Sequence, residues 1–164
     1  MNEGGGVTMP QLPQPIGVIL VDHGSRMAES NRQLEEVVRI FADIAGKQSG
    51  YSIVEPAHME LASPSIAEAF GACVDRGAKS VIVFPYFLGP GRHWRDDIPR
   101  LAREAAASFP QVPFIVTAPL GPHPLMATII NERIETCLSR QQDPQRRCDL
   151  CQEGQDCLNL AANS

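Results

Sequence analysis

Imidazole and carboxylate side chains collect at the ends of strand-like runs in this sequence. His23 follows the apolar run GVILV at residues 17–21. Glu60, with His58 two residues before it, ends a second extended stretch. His93 ends a Gly- and Pro-containing loop after a third, with Arg92 and Arg95 beside it, and His123 precedes Pro124 after a fourth. Two imidazoles and a carboxylate suit a borderline divalent cation such as iron, cobalt, nickel or zinc. They suit proton transfer near neutral pH as well, because imidazole titrates there. Any one of these histidines alone reads as a capping or hydrogen-bonding residue. His123 reads as a helix-start residue, and His58 as one that could point into the sheet. His23, Glu60 and His93 gathered on one edge read as a site.

The elements that must position them follow from periodicity. The run at 17–21 is apolar throughout, as a strand buried on both faces is. A helix follows, with Leu34, Val37, Val38, Phe41 and Ile44 at helical spacing. A second strand reads from 53 to 61, interrupted by Pro56. Ser63 and Pro64 read as the cap and first turn of a helix with the stripe Ile66, Phe70, Cys73 and Val74, which Gly77 closes. Residues 80–84 form the clearest strand, and a helix begins near Asp96 with Pro99 in its first turn. Residues 114–117 make a fourth strand, and a last helix from near Pro124 carries Leu125, Ile129, Ile130, Ile134, Cys137 and Leu138. Such alternation predicts an α/β fold of three layers, a four-stranded parallel sheet between helices. Ligands of these sheets bind beyond the C-terminal strand ends. The chain divides into a disordered lead-in at 1–15, a folded domain at 16–140 and a flexible, cysteine-bearing tail at 141–164.

Composition narrows the partners. A net charge of −5 over 164 residues argues against a nucleic-acid partner. No apolar run approaches the length that spans a bilayer. The first 15 residues have neither the apolar core of a signal peptide nor the Arg-rich character of a transit peptide. If the protein works in an organelle, its targeting segment is expected to be missing from this chain. Five cysteines without a secretory signal do not read as a disulfide framework.

The ordered set VILVDHGS at 18–25, MELASPSI at 59–66, PYFL at 85–88, GRH at 91–93 with DIP at 97–99, and LGPHP at 120–124 resembles the small sirohydrochlorin chelatases of the SirB/CbiX family. The resemblance covers roughly residues 16 to 138. It implies a chelatase domain at 16–140 that inserts ferrous iron into sirohydrochlorin to give siroheme, releasing two protons. Single-half members of the family are implied to be homodimers with the cleft between subunits. His23 and His93 correspond to the metal-binding and proton-abstracting histidines, and Glu60 lies in the matching motif. Insertion needs a loosely held ion, so an incomplete set of protein ligands is appropriate. The substrate carries many carboxylates, which Ser25, Arg26, Arg92 and Arg95 around the site are placed to bind. The same donors would accept cobalt or nickel.

The tail adds Cys148, Cys151 and Cys157 in a C-x2-C-x5-C pattern. Clustered thiols read as ligands of a zinc knot or an iron–sulfur cluster. The tail resembles the extension of plant-type family members, which implies a [2Fe–2S] cluster and a place in the chloroplast stroma. A cluster wants four thiolates. Cys137 is a candidate fourth ligand, although sharing a face with Ile130 and Ile134 suits a core residue, and a partner subunit is another source. Cys73 reads as core packing.

Two rival readings differ in class. A histidine phosphatase carries Arg-His-Gly after its first strand, whereas this chain has Asp22-His23-Gly24, and the carboxylate would repel a phosphate. A non-catalytic iron or cluster carrier would bind metal without accelerating its insertion.

Overall fold

The computed structural model describes residues 11–89 and 91–143, with residues 47, 141 and 142 described by backbone alone. Most of the lead-in and the tail thiols of Cys148, Cys151 and Cys157 lie outside the described residues. The chain forms two compact units divided after Gly121.

The first unit runs β1 (Ile16–Asp22), α1 (Ala28–Ser49), β2 (Ile53–His58), α2 (Ile66–Asp75), β3 (Ser80–Pro85), a π-helical turn (His93–Asp97), α3 (Ile98–Ala106) and β4 (Phe114–Val116). Its four strands make one parallel sheet in the order β2-β1-β3-β4. Alternation along β1 explains why it is apolar from Ile16 to Val21. Ile19 and Val21 face a core with Phe70 and Cys73 of α2 and Ile98 and Ala102 of α3. Ile16, Val18 and Leu20 face Leu34 and Val38 of α1 on the other side. The expected parallel sheet with helices on both faces is borne out. Burial pushes the Cys73 thiol up to about 12, so it stays neutral and acts as packing. Gly17 lets α2 approach, since a Cβ there would fall 2.8 Å from Cys73 Cβ.

Two elements differ from expectation in ways with physical causes. Pro56 does not break β2, because β2 is an edge strand and one side of it needs no ladder partner. The cap of α2 is Ser65 rather than Ser63. Ser65 Oγ accepts Glu68 N–H while the Glu68 carboxylate accepts Ser65 N–H. This reciprocal box outcompetes a cap two residues earlier. The Ser65→Ala variant should lose about 1 kcal/mol in chemical denaturation, the usual worth of such a cap.

Part of the lead-in is structured. Pro13 O accepts Ser80 Oγ–H at 2.7 Å, and Pro15 O accepts Lys79 N–H at 2.7 Å, tying residues 13–15 to the start of β3.

The second unit contains α4 (Leu125–Gln142). His123 Nδ1 accepts Leu125 N–H at 3.2 Å, so His123 is the helix-start residue expected. Leu125, Ile129, Ile130, Ile134 and Leu138 of α4 are exposed, and Cys137 is half-buried. No described helix is long and apolar enough to cross a membrane.

Candidate active site

The strand order reverses between β1 and β3: the chain steps from β1 to β2 on one side, then crosses to β3 on the other. A crevice opens beyond the C-terminal strand ends at such a switch point. His23 follows β1 directly, and His93 opens the π turn after β3. Their rings meet there, with centroids 5.3 Å apart and planes at 76°.

Glu60 arrives from the edge strand. The β1–β2 ladder continues past both strands, with Met59 N–H donating to Asp22 O at 2.9 Å and Glu60 N–H to His23 O at 3.1 Å. Glu60 is thereby registered beside His23, and its Oε1 lies 2.8 Å from His23 Nε2. Gly24 permits the approach. Its φ is +84°, and a Cβ would fall 2.0 Å from Glu60 O. Leu61 turns the chain immediately after Glu60 with φ of +67°. Left-handed backbone costs a side-chain-bearing residue about 1–2 kcal/mol, and such strain concentrates at functional sites.

Hydrogen bonds assign the ring nitrogens. Gly24 O can only accept, so the His23 Nδ1 at 3.3 Å carries the proton toward it and Nε2 turns to Glu60. His93 Nδ1 pairs with Asp97 Oδ2 at 2.9 Å, so Nε2 is the ring nitrogen not engaged by that carboxylate. The π turn that holds both residues is closed by Ile98 N–H donating to His93 O. The helix therefore starts three residues before the expected Asp96, and His93 stands in a turn rather than a loop. Pro99 explains the wide turn: it has no N–H to offer Arg95 O, and its ring would crowd that carbonyl in an α-helical turn.

His23, His93 and Glu60 side chains are about half exposed, at 43%, 49% and 52%, so a large ligand can reach them. Among the described residues no three His, Cys, Asp or Glu side chains converge as a metal site. Donors come instead as two pairs that share His23. Ser25 holds the loop rather than facing the crevice. Its Oγ accepts Met27 N–H at 3.0 Å, and Asn31 of α1 brackets its peptide with two bonds of 2.9 Å. Arg26, Arg92 and Arg95 are exposed. The Arg95 guanidinium lies 5.8 Å from the Trp94 ring centre, and Trp94 Nε1–H donates to Thr117 O at 3.3 Å. These side chains border a recess of about 340 Å³ with Pro99, Val116 and Ala118. A larger groove of about 470 Å³, walled by residues such as Leu20, Phe41 and Phe84, is apolar and is lined by none of the proposed donors.

Sequence reasoning missed Asp97 as the partner of His93. The i,i+4 spacing was the available signal. It also missed the pairing of His58 with Asp22 and the stacking of Arg95 on Trp94.

The sequence matches the CbiX family over residues 17–137. The chain belongs to the CbiX family. Among CbiX relatives, it is 49% identical over 150 residues to a chloroplastic sirohydrochlorin ferrochelatase of Arabidopsis thaliana, covering 92% of this chain and 65% of that one. It is 32% identical over 127 residues to a sirohydrochlorin ferrochelatase of Priestia megaterium, covering 77% of this chain and 46% of that one. The chain thus spans less than two thirds of the length of either. The CbiX fold here superposes on the sirohydrochlorin chelatase SirB of Bacillus subtilis subspecies spizizenii, solved in complex with cobalt, with a TM-score of 0.60 and 25% identity over 73% of this chain and 50% of that one.

Proposed function

We propose that this protein is a sirohydrochlorin ferrochelatase, inserting Fe²⁺ into sirohydrochlorin to give siroheme with release of two protons. The observation that carries the reading is His23, in contact with both Glu60 and His93 at the switch point of a CbiX-family sheet. Family membership and the similarity to two ferrochelatases support it.

The pairs suggest how the reaction runs. Without metal, the 2.8 Å contact of His23 Nε2 with the Glu60 carboxylate is held by a shared proton, since two acceptors would repel. The arriving ion displaces that proton to solvent and is held by His23, with His93 Nε2 as second donor. Only a partial ligand set grips it, so the pyrrole nitrogens complete the coordination sphere and draw it away. The two pyrrole protons pass to Glu60 and to the imidazole that the ion leaves. Arg95, supported on Trp94 beside its recess, takes a substrate carboxylate, and the exposed Arg26 and Arg92 offer further cations. Ser25 contributes by holding the loop that carries His23 and Arg26.

Asp97 fixes the tautomer of His93. Asp97→Asn should lower kcat by about tenfold or more, the typical effect of losing a residue that orients a metal-binding imidazole. A thermal melt should move little, because the pair is partly exposed.

Residues 16–140 make the catalytic domain, and the exposed apolar stripe of α4 favours a homodimer. Sedimentation should then give twice the chain mass. The chloroplastic relative supports a chloroplast location, and the stroma is the compartment we assign. Cys148, Cys151 and Cys157, with the half-buried Cys137 thiol as fourth ligand, have the donor chemistry of a [2Fe–2S] cluster. Such a cluster would supply one-electron chemistry when bound. Cys137→Ser should then bleach the visible spectrum of anaerobically purified protein.

Metal choice tests the ferrochelatase reading directly. Offered Fe²⁺, Co²⁺ and Ni²⁺ separately under anaerobic conditions, the protein should insert iron fastest. Faster insertion of cobalt would reassign it as a cobaltochelatase, a reading favoured by the cobalt complex of SirB.

A further inference from the structure

We propose that His58 is a positioning residue for His23, acting through the carboxylate of Asp22. His58 closes β2 in register with Asp22, which closes β1. Its side chain is 1% exposed, and Nδ1 lies 2.5 Å from Asp22 Oδ1. The same oxygen accepts Gly24 N–H at 2.9 Å. One carboxylate oxygen therefore joins the buried imidazole to the backbone just after His23. The Asp22 side chain is thereby tied to the peptide that follows His23, while His23 O is held by Glu60 N–H. These restraints place His23 Nε2 against Glu60.

Packing alone does not account for an imidazole here. His58 lies beneath its own following loop, where its N–H donates to Pro64 O at 2.7 Å. Among the described residues its Nε2 is buried without a hydrogen-bond partner. A buried polar atom left unpaired is destabilising. A phenyl ring would occupy similar space without that penalty, but would offer Asp22 no donor. Local rules broken in favour of one hydrogen bond under a site indicate a functional constraint. The clamp also explains why Asp22 is tolerated beside a metal-handling histidine: its charge is engaged by His58 and Gly24.

This inference rests on the reading of His23 as the metal-handling group, so His23→Ala is assayed in parallel. His58→Phe keeps the ring volume and removes the donor. His58→Asn places an amide N–H near the position of Nδ1–H. Insertion of Fe²⁺ into sirohydrochlorin is followed for each variant, with kcat and KM separated and folding checked by thermal melt. His58→Phe should lose about tenfold or more in kcat with KM for the tetrapyrrole nearly unchanged, the effect expected of a lost orienting partner. His58→Asn should recover most of that loss, and the Asp22→Ala/His58→Phe double variant should be no slower than Asp22→Ala alone. A folded His58→Phe variant with parental kcat, or a folded His58→Asn variant as slow as His58→Phe, overturns the proposal. Should His58→Phe fail to fold, the tautomer decides: a long-range ¹H–¹⁵N spectrum of the parent protein must show protonated Nδ1 on His58, and an unprotonated Nδ1 overturns the clamp. Activity retained in His23→Ala would defeat the chelatase reading of that histidine. Activity lost there and retained in His58→Phe would defeat only the present proposal.

Discussion

Replacing His23 by alanine should reduce metal insertion by about two orders of magnitude or more, the scale of losing a group that both holds an ion and moves a proton. His23 is the member common to both pairs, 2.8 Å from Glu60 Oε1 and in ring contact with His93. Its loss leaves Glu60 and His93 without the donor between them. Stability should change by less than about 1 kcal/mol, because the side chain is 43% exposed and packs no core. Initial rates of siroheme formation, with circular dichroism melts of the same samples, separate the two effects. A folded His23→Ala variant at parental rate would remove this histidine from the mechanism. His93→Ala should be similarly slow, because it removes the second imidazole of the pair.

Gly24→Ala should damage fold and activity together. The left-handed backbone at φ +84° strains any side chain, and the new methyl would stand 2.0 Å from Glu60 O, a backbone atom that cannot rotate aside. Either the His23 loop or the Glu60 loop must move. Strain of this kind is worth about 1–3 kcal/mol, and the displaced backbone adds to it. The shift separates His23 from Glu60, so kcat should fall at least as far as the stability loss implies. Gly50→Ala provides the comparison. Gly50 has φ +76° at the C-cap of α1, with nothing among the described residues within 4 Å of an added Cβ. It carries the strain without the collision, so stability should drop by about 1 kcal/mol while kcat holds. Equal kcat in the two variants would show that the Gly24–Glu60 contact does not position the site.

The fold was legible wherever burial dictated residue type. β1 is apolar on both faces because helices cover both, and Leu34 and Val38 of α1 and Phe70 and Cys73 of α2 face the sheet. The placement of His23, Glu60 and His93 at strand ends followed from the same periodicity. Their mutual geometry did not, because it depends on the sheet order and on the β1–β2 ladder running two residues past the strands. Local competition between equivalent signals was equally opaque. Ser63 and Ser65 are both good caps, and only the Glu68 carboxylate decides between them. Asp96 and Asp97 both suit a helix start, and the π turn forced by Pro99 selects Asp97 as the partner of His93. His58 looked ambiguous because its role lies in a residue of another strand, Asp22, brought level with it by register.

The most direct measurement is the anaerobic initial rate at which the full chain converts sirohydrochlorin and Fe²⁺ to siroheme, read from the visible spectrum against the same mixture without protein. The rate should rise in proportion to protein concentration, turn over many times per chain, and fall to the protein-free rate with His23→Ala. A rate equal to the protein-free rate, with iron bound but not transferred, would contradict the account and leave a metal-binding protein in place of a chelatase.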